Sequence, residues 1–182
     1  MLRGAAVAFL ALAATAEIAP LRAQSRVRAG FGAGAGFVRA VGDTRASYSD
    51  GPGIKGELAF GMTGSPWSAR LEVWYLRLEG RHSSDVRFPA LNLLAFSASA
   101  VRRLGAAGRP FSPYLMAGAG PQNLQDALPF ASYHTRLGLH AGAGTEYGRG
   151  RLRAYVDARA THVTSQPPTN FVLLSTGVRW AL

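Results

Sequence analysis

The chain of 182 residues contains no cysteine. Disulfide scaffolds, thiolate metal centres and an acylated N-terminal cysteine are thereby excluded, and the fold must hold itself together by other means. Beyond residue 16 there is no long apolar run, so no later segment supplies the roughly 20 apolar residues that a membrane-spanning helix needs. Any crossing of a bilayer is left to strands, whose individual signal is much weaker. Carboxylates are scarce too: ten Asp and Glu stand against twenty Lys and Arg, a formal charge of +10. Such an excess points first to nucleic acid, yet these cations alternate with apolar residues instead of gathering into a patch.

The first residues set the compartment. Met1-Leu2-Arg3 carries one positive charge and is followed by an apolar run from Gly4 to Ala16. This is the pattern of a secretory signal peptide, residues 1–23, cleaved after Ala23 in Leu21-Arg22-Ala23. Glu17 and Pro20 come too early for a transmembrane anchor. An exported chain meets no nucleic acid in its ordinary compartment, so that partner is set aside. Residues 24–182, about 158 residues once the leader is gone, make a single domain.

What the chain does have is strict alternation. From Arg26 to Phe37, Val27, Ala29, Phe31, Ala33, Ala35 and Phe37 share one parity, while Arg26, Arg28 and four glycines hold the other. Successive strand side chains point to opposite faces, so one face is greasy and the other charged or bare. The same period predicts strands at about 26–38, 54–62, 69–79, 91–103, 112–121, 136–147, 151–163 and 171–182. Strands two, seven and eight are the clearest. In strand seven Leu152, Ala154, Val156, Ala158 and Ala160 oppose Arg151, Arg153, Tyr155, Asp157 and Arg159. In strand three Leu76 and Leu78 change parity after Tyr75, which predicts a bulge or the end of a span. The facing of strands four and five is ambiguous.

Connections 39–53, 80–90, 122–135 and 164–170 are longer, and 63–68, 104–111 and 148–150 shorter, in alternation. An up-and-down antiparallel barrel puts alternate connections at opposite ends, so one end carries short turns and the other long loops. Outer-membrane barrels have this rhythm, with the short turns and both termini in the periplasm. Periodicity alone leaves open a soluble, lipocalin-like ligand carrier with its apolar face inward. Strand lengths that match a tilted bilayer crossing favour lipid outside. So do the mixed signs on the charged parity and the lack of an amphipathic helix to close one mouth. Aromatics also sit near both ends: Phe60, Trp67, Tyr147 and Trp180 by the short turns, Phe37, Tyr75 and Phe171 by the long loops. The expected fold is an all-β, eight-stranded antiparallel transmembrane barrel.

The charged parity then faces the lumen. It brings Arg28, Lys55, Glu57, Arg70, Glu72, His140, Glu146, Arg153, Asp157, Arg159 and Arg179 toward one axis. Eight strands enclose only enough room for side chains to fill, so these groups are expected to pair as a closed polar core and not to line a channel. Loop cations Arg39, Arg45, Arg81 and Arg87 are candidate contacts for lipopolysaccharide phosphates.

Three motifs resemble a known family: Pro113-Tyr114-Leu115-Met116-Ala117-Gly118-Ala119-Gly120; Gly142-Ala143-Gly144-Thr145-Glu146-Tyr147 with the short turn to Leu152-Arg153-Ala154-Tyr155; and the terminal Thr176-Gly177-Val178-Arg179-Trp180-Ala181-Leu182. They resemble the bacterial outer-membrane protein β-barrel family, the small OmpA- and OmpX-like barrels, over the whole mature chain. The resemblance implies an architecture and not an activity, because the family contains adhesins, structural anchors and small-solute conduits. It also implies assembly by the barrel-assembly machinery, which reads a terminal aromatic; here the last residue is Leu182 and the aromatic is Trp180.

One segment invites an enzymatic reading. His162-Val163-Thr164-Ser165 lies at the loop end of strand seven with His162 on the lipid-facing parity, a location that resembles outer-membrane lipid A deacylases. Such chemistry needs a hydroxyl nucleophile, an imidazole base and a carboxylate to orient it. Strand eight offers no acidic residue, so the third member is missing and no catalysis is assigned. His140 has no second ligand at metal-like spacing, and its expected place is the interior hydrogen-bond network. The glycine runs Gly30 to Gly36 and Gly118 to Gly120 are followed by no helix, so they are not phosphate loops. No cofactor and no metal is implied. The expected protein is a monomeric outer-membrane barrel that presents surface loops, with outer-membrane lipid and lipopolysaccharide as its partners.

Overall fold

The structure is a computed structural model that describes residues 27–81, 89–105, 109–126, 134–165 and 167–182. The expected leader 1–23, Arg26 and the loop cation Arg87 lie outside the described residues. Eight strands follow in chain order: β1 Val27–Ala40, β2 Gly51–Met62, β3 Trp67–Leu78, β4 Leu91–Arg103, β5 Phe111–Asp126, β6 His134–Tyr147, β7 Leu152–Val163 and β8 Thr169–Ala181. Each pairs antiparallel with its neighbour, and β8 returns to β1, so no edge is left unpaired. Closure leaves no open edge, the requirement for backbone placed in hydrocarbon; the β4–β5 ladder alone is interrupted, at Phe96 and Ser97 opposite Gly120 and Pro121.

The register winds as it closes. From Gly30 the pairing runs through Ala59, Arg70, Ser99, Gly118, His140, Thr161 and Phe171 and comes back to β1 at Ala40. One circuit therefore climbs ten residues along β1, from 30 to 40. That stagger tilts the strands by about 40° and fixes which distant side chains meet at one height.

Alternation holds along each strand. Val156, Leu174 and Trp180 are outward and exposed, while Arg179 and Asp157 are buried inside. The apolar parity meets lipid and the charged parity meets the axis. In β4 the inward residues are the odd-numbered Leu91, Leu93, Ala95, Ser97, Ser99 and Val101. In β5 they are the even-numbered Ser112, Tyr114, Met116, Gln122 and Leu124.

Two expectations are corrected. β3 carries no bulge at Leu76 and Leu78; its alternation runs unbroken and both leucines point inward. Phe171 belongs to no outer girdle, because it is only 2% exposed and lies inside. Both corrections share one cause: the loop end of the lumen is apolar. Val38, Trp74, Leu76, Leu91, Phe171 and Leu173 belong to one packed cluster there. An inward residue at this height is therefore greasy, and its parity cannot be read from hydropathy.

β1, β2, β5, β6 and β8 also run past the expected limits on the loop side, β5 reaching 16 residues. Of the long connections, residues 41–50 contain a single helical turn, Thr44–Ser47. The connection's return arm pairs with the next loop through Tyr48 and Gly80, and the Arg81 amide donates to the Ser47 carbonyl at 2.9 Å. At the opposite end Gly64 and Gly150 sit in short turns at φ 84° and 72°, a region that favours glycine.

Candidate functional site

Inward parity and the ten-residue stagger together place eight charges in the middle of the barrel. Lys55, Arg70, Arg159 and Arg179 face Glu57, Glu72, Glu146 and Asp157, and all eight are buried. Four cations against four carboxylates make the layer neutral. Neutrality is what burial demands, because an unpaired ion in a low-dielectric interior is far costlier than a matched pair.

Lys55 on β2 is the central donor. Its Nζ lies 3.2 Å from Glu57 Oε2, 3.2 Å from Glu72 Oε1 and 3.3 Å from Asp157 Oδ2. Its charge also sits over the rings of Tyr155 and Trp74, at 4.3 and 5.0 Å. Arg159 grips Glu72 with both terminal nitrogens, at 2.9 and 2.8 Å, the bidentate geometry suited to guanidinium and carboxylate. Arg179 donates to Glu57 through Nε and Nη2 and to Glu146 at 2.5 Å. Asp157 accepts from the Tyr114 hydroxyl at 3.0 Å and from Ser175. Arg70 reaches Asp157 at 3.7 Å.

The remaining expected members stand farther out. Arg153 is half-buried toward the short-turn end and lies 3.7 Å from Glu146. His140 is buried with its Nε2 2.8 Å from Ser99 Oγ, a neutral contact beside the ionic layer. Arg28 is on the lumen parity but exposed at the barrel end, and it forms no ion pair among the described residues. Sequence reasoning put Tyr155 on the lumen parity but named none of the aromatic members Trp74, Tyr114 and Tyr155, all nearly fully buried, in the layer. A signal existed for Trp74, which shares parity with Arg70 and Glu72.

Above the ionic layer the apolar cluster fills the lumen. Between the two remains a space of about 10 Å³, lined by Trp74, Ser97, Gln122, His140 and Arg159 among others. That is the volume of about one water molecule. The two layers together close the axis.

The segment at His162 does not assemble a hydrolytic centre. His162 Nδ1 lies 2.7 Å from Asn170 Oδ1, a neutral amide where a triad has a carboxylate. The Thr164 hydroxyl donates to the Leu137 carbonyl at 3.1 Å, and that of Ser165 donates to Pro167 at 2.8 Å, so neither is directed at the imidazole. Among the described residues no group of His, Asp or Glu is arranged to hold a metal ion.

The described loop cations Arg39, Arg45 and Arg81 are spread over one end. Arg39 lies within β1 and not in a loop; its guanidinium faces outward, 3.9 Å from Asp50. Arg45 is exposed on the helical turn, and Arg81 is exposed just beyond the bridge that joins the first two loops.

A family model described as the outer membrane protein beta-barrel domain matches residues 5–175, and the chain belongs to that family. Solved structures of the same architecture include Neisserial surface protein A (NspA), 18% identical, with a TM-score of 0.63 over 84% of this chain and 96% of that one. The N-terminal beta-barrel domain of Pseudomonas aeruginosa OprF is 16% identical, with a TM-score of 0.54 over 84% of this chain and 97% of its own. Ail, the attachment invasion locus protein of Yersinia pestis, in complex with the heparin analogue sucrose octasulfate, is 16% identical, with a TM-score of 0.55 over 86% and 99%. Among curated proteins none matches. The likeness to these structures is one of fold. With the family, it makes the protein a small eight-stranded outer-membrane barrel.

Proposed function

We propose that this barrel is a structural and adhesive anchor: its wall is fixed in the outer membrane, its lumen is shut, and its loops are presented to partners without catalysis. The observation that carries this reading is the charge-balanced ionic layer, each ion beside a countercharge, capped by an apolar one. A lumen filled in this way leaves no continuous aqueous path, so the working surfaces are the outer wall and the loops. The leader at residues 1–23 directs export, the barrel-assembly machinery inserts the chain, and the monomer is the working unit. The test is planar-bilayer conductance of the purified protein. A silent membrane is expected, and steady unitary openings would overturn the closed-lumen reading.

The loop cations Arg39, Arg45, Arg81 and Arg87 serve in this reading as contacts for lipopolysaccharide phosphates. Support comes from the exposure of Arg45 and Arg81 and from the bridge that draws their loops together. Arg39 contributes less, because it shares its charge with Asp50. Replacing all four with serine should loosen lipopolysaccharide retention during purification. Retention equal to that of the parent would remove the proposal while leaving the anchor intact.

A further inference from the structure

At the short-turn end the outer wall is not smooth. A cavity of about 540 Å³ crosses the lipid-facing side of β2, β3 and β4, within the size range of small-molecule sites. Ala69, Ala98 and Ala100 form its floor, and Phe60, Met62 and Trp67 are the large side chains around it. The floor is low because Ala69 stands opposite Ala100 across β3 and β4, with Phe60 opposite Ala69 on the β2 side as a wall. The groove is therefore apolar on its lipid-facing side.

The same place carries positive charge. Arg102 pairs with Trp67 across β3 and β4, is exposed, and holds its guanidinium 5.6 Å from the Trp67 ring centroid. Stacking on the indole fixes a long side chain beside the groove. Arg28, next to the lining residue Val27, is exposed at the same end; Arg149 and Arg151 are exposed too, but on the β6–β7 turn across the barrel from the groove. The carboxylate found there among the described residues, Glu146, is buried and already paired with Arg179 and Arg153. Arg102 thus stands directly beside an apolar slot, with no acidic partner of its own among the described residues.

We infer that the groove is a binding site for one anionic glycerophospholipid of the periplasmic leaflet, with an acyl chain along the alanine floor and the phosphate on Arg102. The lipid matches both halves of the site: its chain fills the apolar slot and its phosphate supplies the missing negative charge. The inference rests on the outer-membrane reading above, in which the short turns face the periplasm.

Fluorescence quenching of the full chain in nanodiscs tests it. Three tryptophans are present; Trp74 is buried in the lumen, and Trp180→Phe leaves Trp67 as the outward reporter. Phosphatidylglycerol with brominated acyl chains, diluted into unlabelled lipid, is compared with brominated phosphatidylethanolamine at equal mole fraction. One basic residue near an anionic lipid is worth about 1 kcal/mol, so phosphatidylglycerol should occupy the site about fivefold more strongly. The preference should fall with added salt. Arg102→Gln should abolish it, Arg102→Lys should retain part of it, and Ala100→Leu, which fills the slot, should reduce quenching by both lipids.

Equal quenching by the two lipids would overturn the inference. So would a Trp67 shielded from both in a species that cross-links as a dimer, since a second copy would then cover the groove. Failure of the underlying reading looks different. A chain that shows no mobility shift between unboiled and boiled gels is not a folded membrane barrel. Tryptic cleavage at Arg149 or Arg151 on intact cells would reverse the orientation without altering the quenching preference.

Discussion

Removing one carboxylate from the lumen is the sharpest test of the ionic layer. Glu72→Gln keeps the side chain's shape but leaves three carboxylates against four buried cations. Arg159 loses one of the two acceptors of its bidentate grip, at 2.8 and 2.9 Å, together with the countercharge, and Lys55 loses one of its three carboxylate neighbours. Breaking a buried pair in this way costs about 3–5 kcal/mol, because the surviving charge keeps its desolvation penalty without its partner. With a urea dependence of roughly 2 kcal/mol per molar, the unfolding midpoint in detergent micelles should drop by about 2 M. The assay is the fraction of the fast-migrating folded band on unboiled gels across a urea series. Arg159→Met should be comparably harmful. The double variant restores neutrality at three against three, and its cost should fall below the sum of the singles by about 1–3 kcal/mol. A single-variant cost under about 1 kcal/mol, or a double that is additive within about 0.5 kcal/mol, would show that the charges are solvated and the layer is not a closed core.

Further outcomes follow from facing and packing. Val156→Arg puts a charge on the exposed face and should destabilise by about 2–4 kcal/mol at mid-bilayer depth, whereas Val156→Leu should be nearly neutral; equal tolerance in the same urea series would turn the barrel inside out. Phe171→Ala should cost about 3–5 kcal/mol by opening a cavity in the apolar layer, yet leave planar bilayers silent because the ionic layer below stays shut. A Cβ at Gly144 would come within 2.6 Å of the Tyr114 hydroxyl and of the Asp157 Cβ, so Gly144→Val should overpack the lumen by about 1–3 kcal/mol or more and lower refolding yield. His162→Ala in expressing cells should leave the acylation of lipid A unchanged by mass spectrometry, and loss of a deacylated species would reopen the enzymatic reading.

Legibility in the sequence followed the contrast between the two faces. In β2, β7 and β8 the faces differ in chemistry, leucine and valine against arginine and glutamate, and both the strand and its facing can be read from parity. β4 and β5 defeat the same reasoning. Their inward positions include Leu93, Val101, Tyr114 and Met116, and their outward ones include Leu94, Phe96 and Leu115, so hydropathy is alike on both sides. Leu76, Leu78 and Phe171 mislead for a related reason: the lumen changes from ionic to apolar along its axis, and period two carries no information about height. The lipid-facing groove was not legible at all, since its floor and sides come from three strands aligned by register.

By itself, then, the amino-acid order determined the number of strands, the alternation within each and the charges available to the interior, because a two-residue period is a local property of extended backbone. Only closure decided the partners. Lys55 meets Asp157, 102 residues away, because eight pairings and a ten-residue stagger bring β2 and β7 to one height across the axis. That stagger belongs to the whole cylinder. No single strand encodes it, so the assignment of charge to countercharge, and of greasy residue to lumen or lipid near the loops, waits on the tertiary structure.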